Sequence, residues 1–83
     1  MKKAFISTPA NEALRERIKI ARKICGVTVA QIAEKVGTYR PTISNQLTGK
    51  HSIDIMVVLA IAQLCPNISA EWLLRGEGNI EKQ

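Results

Sequence analysis

The 83-residue sequence predicts an all-α fold in a single domain. Ala, Ile, Leu and Val recur with helical spacing, and no stretch shows the sustained period-two alternation of a half-buried strand. Apolar residues make up 46% of the chain but aromatic residues only 4%, which favours an aliphatic core between helices. We expect five helices within residues 8–79, a flexible arm at residues 1–7 and a tail at residues 80–83.

The first helix is predicted to begin near Thr8 or Asn11 and to end at Cys25, before Gly26. Pro9 is acceptable at a first helical position, where its missing N–H costs nothing. The residues predicted to face the core are Leu14, Ile18, Ala21 and Cys25. The basic residues Arg15, Lys19, Arg22 and Lys23 lie off this stripe.

The second helix starts after Thr28, a favourable N-cap residue, and Gln31 three residues later completes a capping box. Ile32, Ala33 and Val36 form a narrow apolar face. Gly37 stands where a left-handed residue ends a helix. The pattern predicts a helix of about two turns followed by a tight turn.

The third helix is predicted from about Arg40 to Thr48, with Gly49 after it; its N-cap is either Thr38 or Tyr39. Ile43 and Leu47 lie one turn apart and should point to the core. The face turned outward then carries Pro41, Thr42, Ser44, Asn45 and Thr48. This face is polar but nearly uncharged, which suits close contact with base edges better than a solvated surface rich in Lys and Glu.

The fourth helix, predicted with Ser52 as its cap and Asp54 in its first turn, is apolar nearly all round and ends at Pro66. Such a helix must be buried on more than one side, and its outer side (Met56, Val57, Ile61, Leu64) would need another helix or a second subunit.

Ser69 caps a short fifth helix that ends at Gly76. Trp72, Leu73 and Leu74 are consecutive, so they cannot all face one core. They form either a lid over the core or part of a two-fold dimer contact.

Charge is distributed unevenly along the chain, whose formal net charge is +5. Residues 1–50 contain ten Lys and Arg against three acids, whereas residues 51–83 contain two against four. A basic half around two short helices is what attraction to phosphates requires. The alternative is that the basic residues of the first helix only keep that helix solvated.

Several classes of protein are not supported by the sequence. We expect neither a signal peptide nor a membrane span, and therefore a cytoplasmic protein. His51 is the single histidine, and there is no metal-ligand set, nucleophile and base, or Gly-rich phosphate loop, so we expect no cofactor, no metal and no enzymatic activity. We interpret Cys25 and Cys65 as small buried hydrophobes, with a disulfide between them as the minor alternative.

The central stretch resembles the helix-turn-helix of Cro and phage repressors, the XRE family. The matching residues are Thr28, Ala33, Gly37, the run Thr42-Ile43-Ser44 and the pair Gly49-Lys50. The resemblance extends over about residues 14–79, because an apolar helix and then N-I-S-A-E-W-L-L-R-G-E-G follow, similar to the end of many related domains. Two departures stand out. Val29 occupies a position where many relatives have Gln, and the third helix lacks their usual Ser or Thr cap.

The resemblance implies a λ-repressor-like domain that binds operator DNA as a homodimer, acting as a transcription regulator, in particular a repressor of phage or mobile-element type. The operator would be an inverted repeat. The expected base-reading residues are Arg40, Pro41, Thr42, Ser44 and Asn45. The expected contacts to the DNA backbone are Thr28, Val29, Tyr39, Thr48, Lys50, Arg22 and Lys23, and the expected dimer contacts are Trp72, Leu73 and Leu74.

Two alternatives remain from the sequence. The protein could be an antitoxin, which regulates its own operon and neutralises a toxin protein through another surface. The same fold could also serve as a protein-interaction module, as it does in some bridging factors. The N-terminal arm either reaches around the DNA or is a frayed terminus.

Overall fold

A computed structural model describes residues 8–82. The predicted all-α fold is confirmed: the helices are α1 (Pro9–Cys25), α2 (Val29–Val36), α3 (Arg40–Leu47), α4 (Ile55–Leu64) and α5 (Ala70–Arg75). The arm predicted at residues 1–7 lies outside the described residues, as does Gln83. None of the helices described is long and apolar enough to cross a membrane.

Helix α4 is the centre of the packing, with contacts to α1, α2 and α5. Its buried residues Val57, Val58, Ala60 and Ile61 meet the predicted stripe of α1, in which Ile18 and Ala21 are fully buried. The predicted outer side of α4 was therefore wrong in part, because Val57 and Ile61 face the core. The apolar residues that α4 leaves exposed are Ile55, Met56 and Leu59.

Most helix ends lie where local chemistry predicted them. Thr8 caps α1 and Ser69 caps α5, each accepting a hydrogen bond from the backbone N–H three residues later. Helix α4 differs: its cap is Asp54, whose carboxylate accepts from the N–H of Met56 at 2.8 Å, and not Ser52. Asp54 is preferred because its own N–H is held by the side chain of Gln46, at 2.8 Å, in the extended backbone that a cap needs.

The three consecutive apolar residues of α5 divide between core and surface. Trp72 and Leu73 are buried, whereas Leu74 is 46% exposed. The expectation that all three form a dimer contact must be corrected for Trp72 and Leu73, because the core of the single chain already covers them. Of the three, Leu74 is the one at the surface.

Residues 80–82 are not a free tail, as the sequence analysis expected. Ile68 and Glu81 form an antiparallel bridge, flanked by hydrogen bonds from Ser69 N to Ile80 O at 2.7 Å and from Lys82 N to Asn67 O at 2.8 Å. Ile80 packs against the core cluster. The segment after α5 is therefore part of the folded domain.

Cys25 and Cys65 form a disulfide, which the sequence analysis had held to be the minor alternative. The bond forms because α1 and α4 end side by side, with the two Cα atoms 5.9 Å apart, within the usual range for disulfides. Cys65 is also buried, as predicted, and Cys25 packs against the core cluster. The bond closes a loop of 40 residues that includes α2 and α3.

Reduction of this disulfide should lower the free energy of unfolding by about 4 kcal/mol, because the unfolded chain regains the entropy of the open loop. Urea denaturation with and without reductant measures the difference. The double variant Cys25→Ala, Cys65→Ala is the control, since reductant should not change its stability. Equal midpoints for the oxidised and reduced wild type would contradict the cross-link.

Candidate nucleic-acid interface

Helix α2 begins with the predicted capping box. The N–H of Gln31 donates to Oγ1 of Thr28 at 3.1 Å, and Oε1 of Gln31 accepts from the N–H of Thr28 at 2.9 Å. Val29 follows the cap and packs against the core cluster. Its side chain therefore serves the fold, and what Val29 can offer a phosphate is its main-chain N–H at the positive end of the helix.

The turn between α2 and α3 depends on Gly37, whose φ is +86°. The N–H groups of Gly37 and Thr38 both donate to the carbonyl of Ala33, at 2.8 and 2.9 Å, and this closes α2. Tyr39 then caps α3 through its backbone geometry, without a side-chain hydrogen bond. The side chain of Tyr39 is 81% exposed at the start of α3.

Helix α3 buries Ile43, as predicted, and also Gln46. The first three residues of α3, Arg40, Pro41 and Thr42, are exposed, while Ser44 and Asn45 are half-buried. Within the described part of the chain, the side chains of Arg40, Thr42 and Asn45 make no hydrogen bond or ion pair. The outward face of α3 therefore presents polar groups whose hydrogen-bonding capacity is not used by the fold.

The C-terminal end of α3 is closed by its own loop. Thr48 donates through its N–H and Oγ1 to the carbonyl of Ser44, at 2.9 and 2.8 Å. The N–H groups of Lys50 and His51 donate to the carbonyl of Asn45, at 2.9 and 3.2 Å. Lys50 is thus exposed on a loop whose backbone is fixed to the end of α3.

Basic residues of α1 flank this end of α3. A cleft of about 390 Å³ is lined by Arg15, Lys19, Arg22, Leu47 and Thr48, which include three cations and no acid. Arg22 uses its Nε to donate to the carbonyl of Val27 at 3.1 Å, just before the cap of α2. Lys23 is exposed. His51 is exposed too, and no cluster of metal-binding side chains exists within residues 8–82.

Arg15 was assigned to the solvated basic face by the sequence analysis, and the structure corrects this. The residue is only 9% exposed and donates to two main-chain carbonyls beyond its own helix. Its position three residues before Ile18, on the edge of the apolar stripe, was the available signal, because a long arginine stem can cover apolar surface.

An exposed polar helix held behind a second helix by a glycine turn defines a helix-turn-helix protein. A family model described as Helix-turn-helix, of the Cro and λ-repressor type, matches residues 18–73. The chain belongs to this family, whose members are DNA-binding regulators. No curated protein and no solved structure matches the chain.

Gly37→Ala should lower the free energy of unfolding by about 1 to 2 kcal/mol, because a Cβ disfavours the left-handed backbone. Nothing lies within 4 Å of that Cβ, so the cost comes from the backbone alone. Gly37→Asn is the matched variant and should lose less, because Asn tolerates this conformation. Urea denaturation compares the two, and equal losses would show that backbone strain is not the cause.

Proposed function

We propose that the protein is a sequence-specific binder of double-stranded DNA that represses transcription by occupying an operator. The observation that carries this proposal is the outward face of α3, where Arg40, Thr42 and Asn45 are not engaged by the fold. Cations of α1 and the loop at Lys50 flank that face. We expect the protein to act in the cytoplasm, where such DNA is found.

Base readout would come from α3 lying in the major groove. The guanidinium of Arg40 can donate two hydrogen bonds to a guanine, and the amide of Asn45 can pair with an adenine. The hydroxyls of Thr42 and Ser44 suit either purine, and Pro41 offers an apolar contact to a thymine methyl. Each well-aligned two-bond pair is worth about 1 to 3 kcal/mol of discrimination.

Register on the duplex would be set by contacts to phosphates. The main-chain N–H groups at the start of α2, beside Thr28 and Val29, carry the positive end of the helix dipole. Lys50, Arg22 and Lys23 supply full charges, and the exposed hydroxyls of Tyr39 and Thr48 add polar contacts at either end of α3. These contacts supply affinity without sequence information.

Two subunits would bind an inverted repeat with half-sites about 34 Å apart, one turn of B-DNA. Leu74 is the dimer residue that this proposal retains, because it is an apolar side chain at the surface.

The first experiment is selection from a pool of random duplexes, with sequencing, at two salt concentrations. Enrichment of an inverted repeat with half-sites one helical turn apart is the expected result. Salt-sensitive binding without an enriched sequence would reduce the activity to phosphate attraction. No binding at modest salt would overturn the proposal.

Asn45→Ala should relax the preference at one base pair of each half-site, because the amide no longer distinguishes the bases there. Lys50→Ala should instead weaken binding to all sequences alike and lower the salt dependence, by about one unit of the logarithmic slope per contact. Binding of both variants to the selected duplex and to point mutants of it tests these roles. The reverse pattern would refute the assignment.

Leu74→Gln should reduce cooperative binding to the full inverted repeat while leaving the affinity for a single half-site unchanged, because the side chain is remote from the DNA in this arrangement. Leu59→Gln is the matched control, since Leu59 is exposed to a similar extent, 48% against 46%. Titration of full-site and half-site duplexes distinguishes them. Loss of cooperativity in the Leu59 variant alone would move the contact to α4.

A second candidate function is supported by the exposed apolar side chains of α4. Ile55 is 58% exposed and Met56 48%, and α4 has no charged side chain. A surface of this kind suits a protein partner. An antitoxin would use it for its toxin, and an interaction module would use it without binding DNA. A toxin-like reading frame beside the gene favours the first, and absence of DNA affinity favours the second.

A further inference from the structure

We propose that Arg15 is a positioning residue for DNA recognition, which fixes the end of α3 and the loop that carries Lys50. This inference rests on the proposed function. It assigns to a buried residue of α1 a role in DNA affinity that the residue performs without touching the DNA.

The guanidinium of Arg15 joins three parts of the chain. Its Nε donates to the carbonyl of Gln46 in the last turn of α3, at 3.0 Å. Its Nη2 donates to the carbonyl of His51 at 3.2 Å and to Oδ1 of Asn11 at 3.0 Å. Its Nη1 lies 2.9 Å from a carboxylate oxygen of Glu12. One side chain therefore connects α1, the end of α3 and the loop behind it.

Helix α3 needs this connection because its other support is one-sided. It packs mainly against α2, through its buried Ile43. The carbonyl groups of a last helical turn have no partner within the helix, and burial of such a group without a partner is costly. Arg15 supplies the partner for Gln46, and its charge opposes the negative end of the helix dipole.

The loop from Thr48 to Asp54 is held at both ends. At its far end, Oε1 of Gln46 accepts from the N–H of Asp54 at 2.8 Å. In its middle, Gly49 lies against Arg15, so that a Cβ there would be 3.7 Å from the guanidinium carbon. Lys50, the proposed phosphate contact, is the next residue. Movement of Arg15 would therefore free the backbone that presents Lys50.

Arg17 offers an unusually close control on the same helix. Its Nε donates to the carbonyl of Leu73 at 2.9 Å, and its Nη2 donates to that of Leu74 at 3.0 Å. Arg17 thus makes the same kind of connection, but to the end of α5. A substitution of either arginine by lysine keeps the charge and removes the planar pair of donors.

The test compares Arg15→Lys with Arg17→Lys in the full chain, using the duplex selected from the random pool. Arg15→Lys should lose about tenfold in affinity for that duplex, and its salt slope should fall by about one unit for each subunit, because the phosphate contact of Lys50 is no longer held. Arg17→Lys should bind within about twofold of wild type.

A double-mutant cycle separates positioning from a general loss of stability. Lys50→Ala should cost much less affinity in the Arg15→Lys background than in wild type, and its full cost should remain in the Arg17→Lys background. Amide exchange adds a readout without DNA: the N–H groups of Lys50 and His51 should exchange about tenfold faster in Arg15→Lys only.

Asn11→Ala provides a milder variant in case Arg15→Lys does not fold. It keeps Arg15 and removes the acceptor that orients Nη2, so it should weaken binding in the same direction by about two- to threefold. Wild-type binding with equal affinities and slopes for the Arg15 and Arg17 variants, or additive effects with Lys50→Ala, would overturn the inference. Failure of the wild type to bind any duplex would instead overturn the proposed function itself.

Discussion

The structure depends on holding an eight-residue helix, α3, in one orientation at the surface. A helix of this length does not persist in water by its own hydrogen bonds. Its position is set by burial of Ile43 against α2, by the left-handed turn at Gly37, and by the buried pair Arg15 and Gln46 at its far end. The rest of the core, centred on α4, keeps α1 and α2 in the places from which these contacts reach.

The sequence predicted those parts of the fold that local chemistry determines. The capping box of Thr28 and Gln31 and the glycine that ends α2 involve residues within one or two turns, so their pattern is visible in the chain. The bounds of α4 were less accurate, because Asp54 becomes the cap through a hydrogen bond to Gln46, eight residues earlier. The disulfide and the pairing at residues 80–82 depend on contacts between distant segments, which no local pattern reveals.

The candidate site divides in the same way. The outward face of α3 followed from the one-turn spacing of Ile43 and Leu47, and the exposure of Arg40 and Thr42 agrees with it. Arg15 was missed because a charged residue in a basic run is ordinarily solvated, whereas its partners lie 31 and 36 residues away. The burial of Trp72 beside the exposed Leu74 likewise required the packing of α5 against α1 and α4.

The side chains on the outward face of α3 take no part in holding the domain together. Arg40, Thr42 and Asn45 have no partner within the described residues, while the helix beneath them is fixed by Ile43, Gln46 and Arg15. Substitutions on that face therefore carry little penalty in folding, since exposed positions away from caps and cores usually change stability only slightly. The domain separates what it recognises from what keeps it folded, so its specificity is free to diverge in steps while its architecture stays constant.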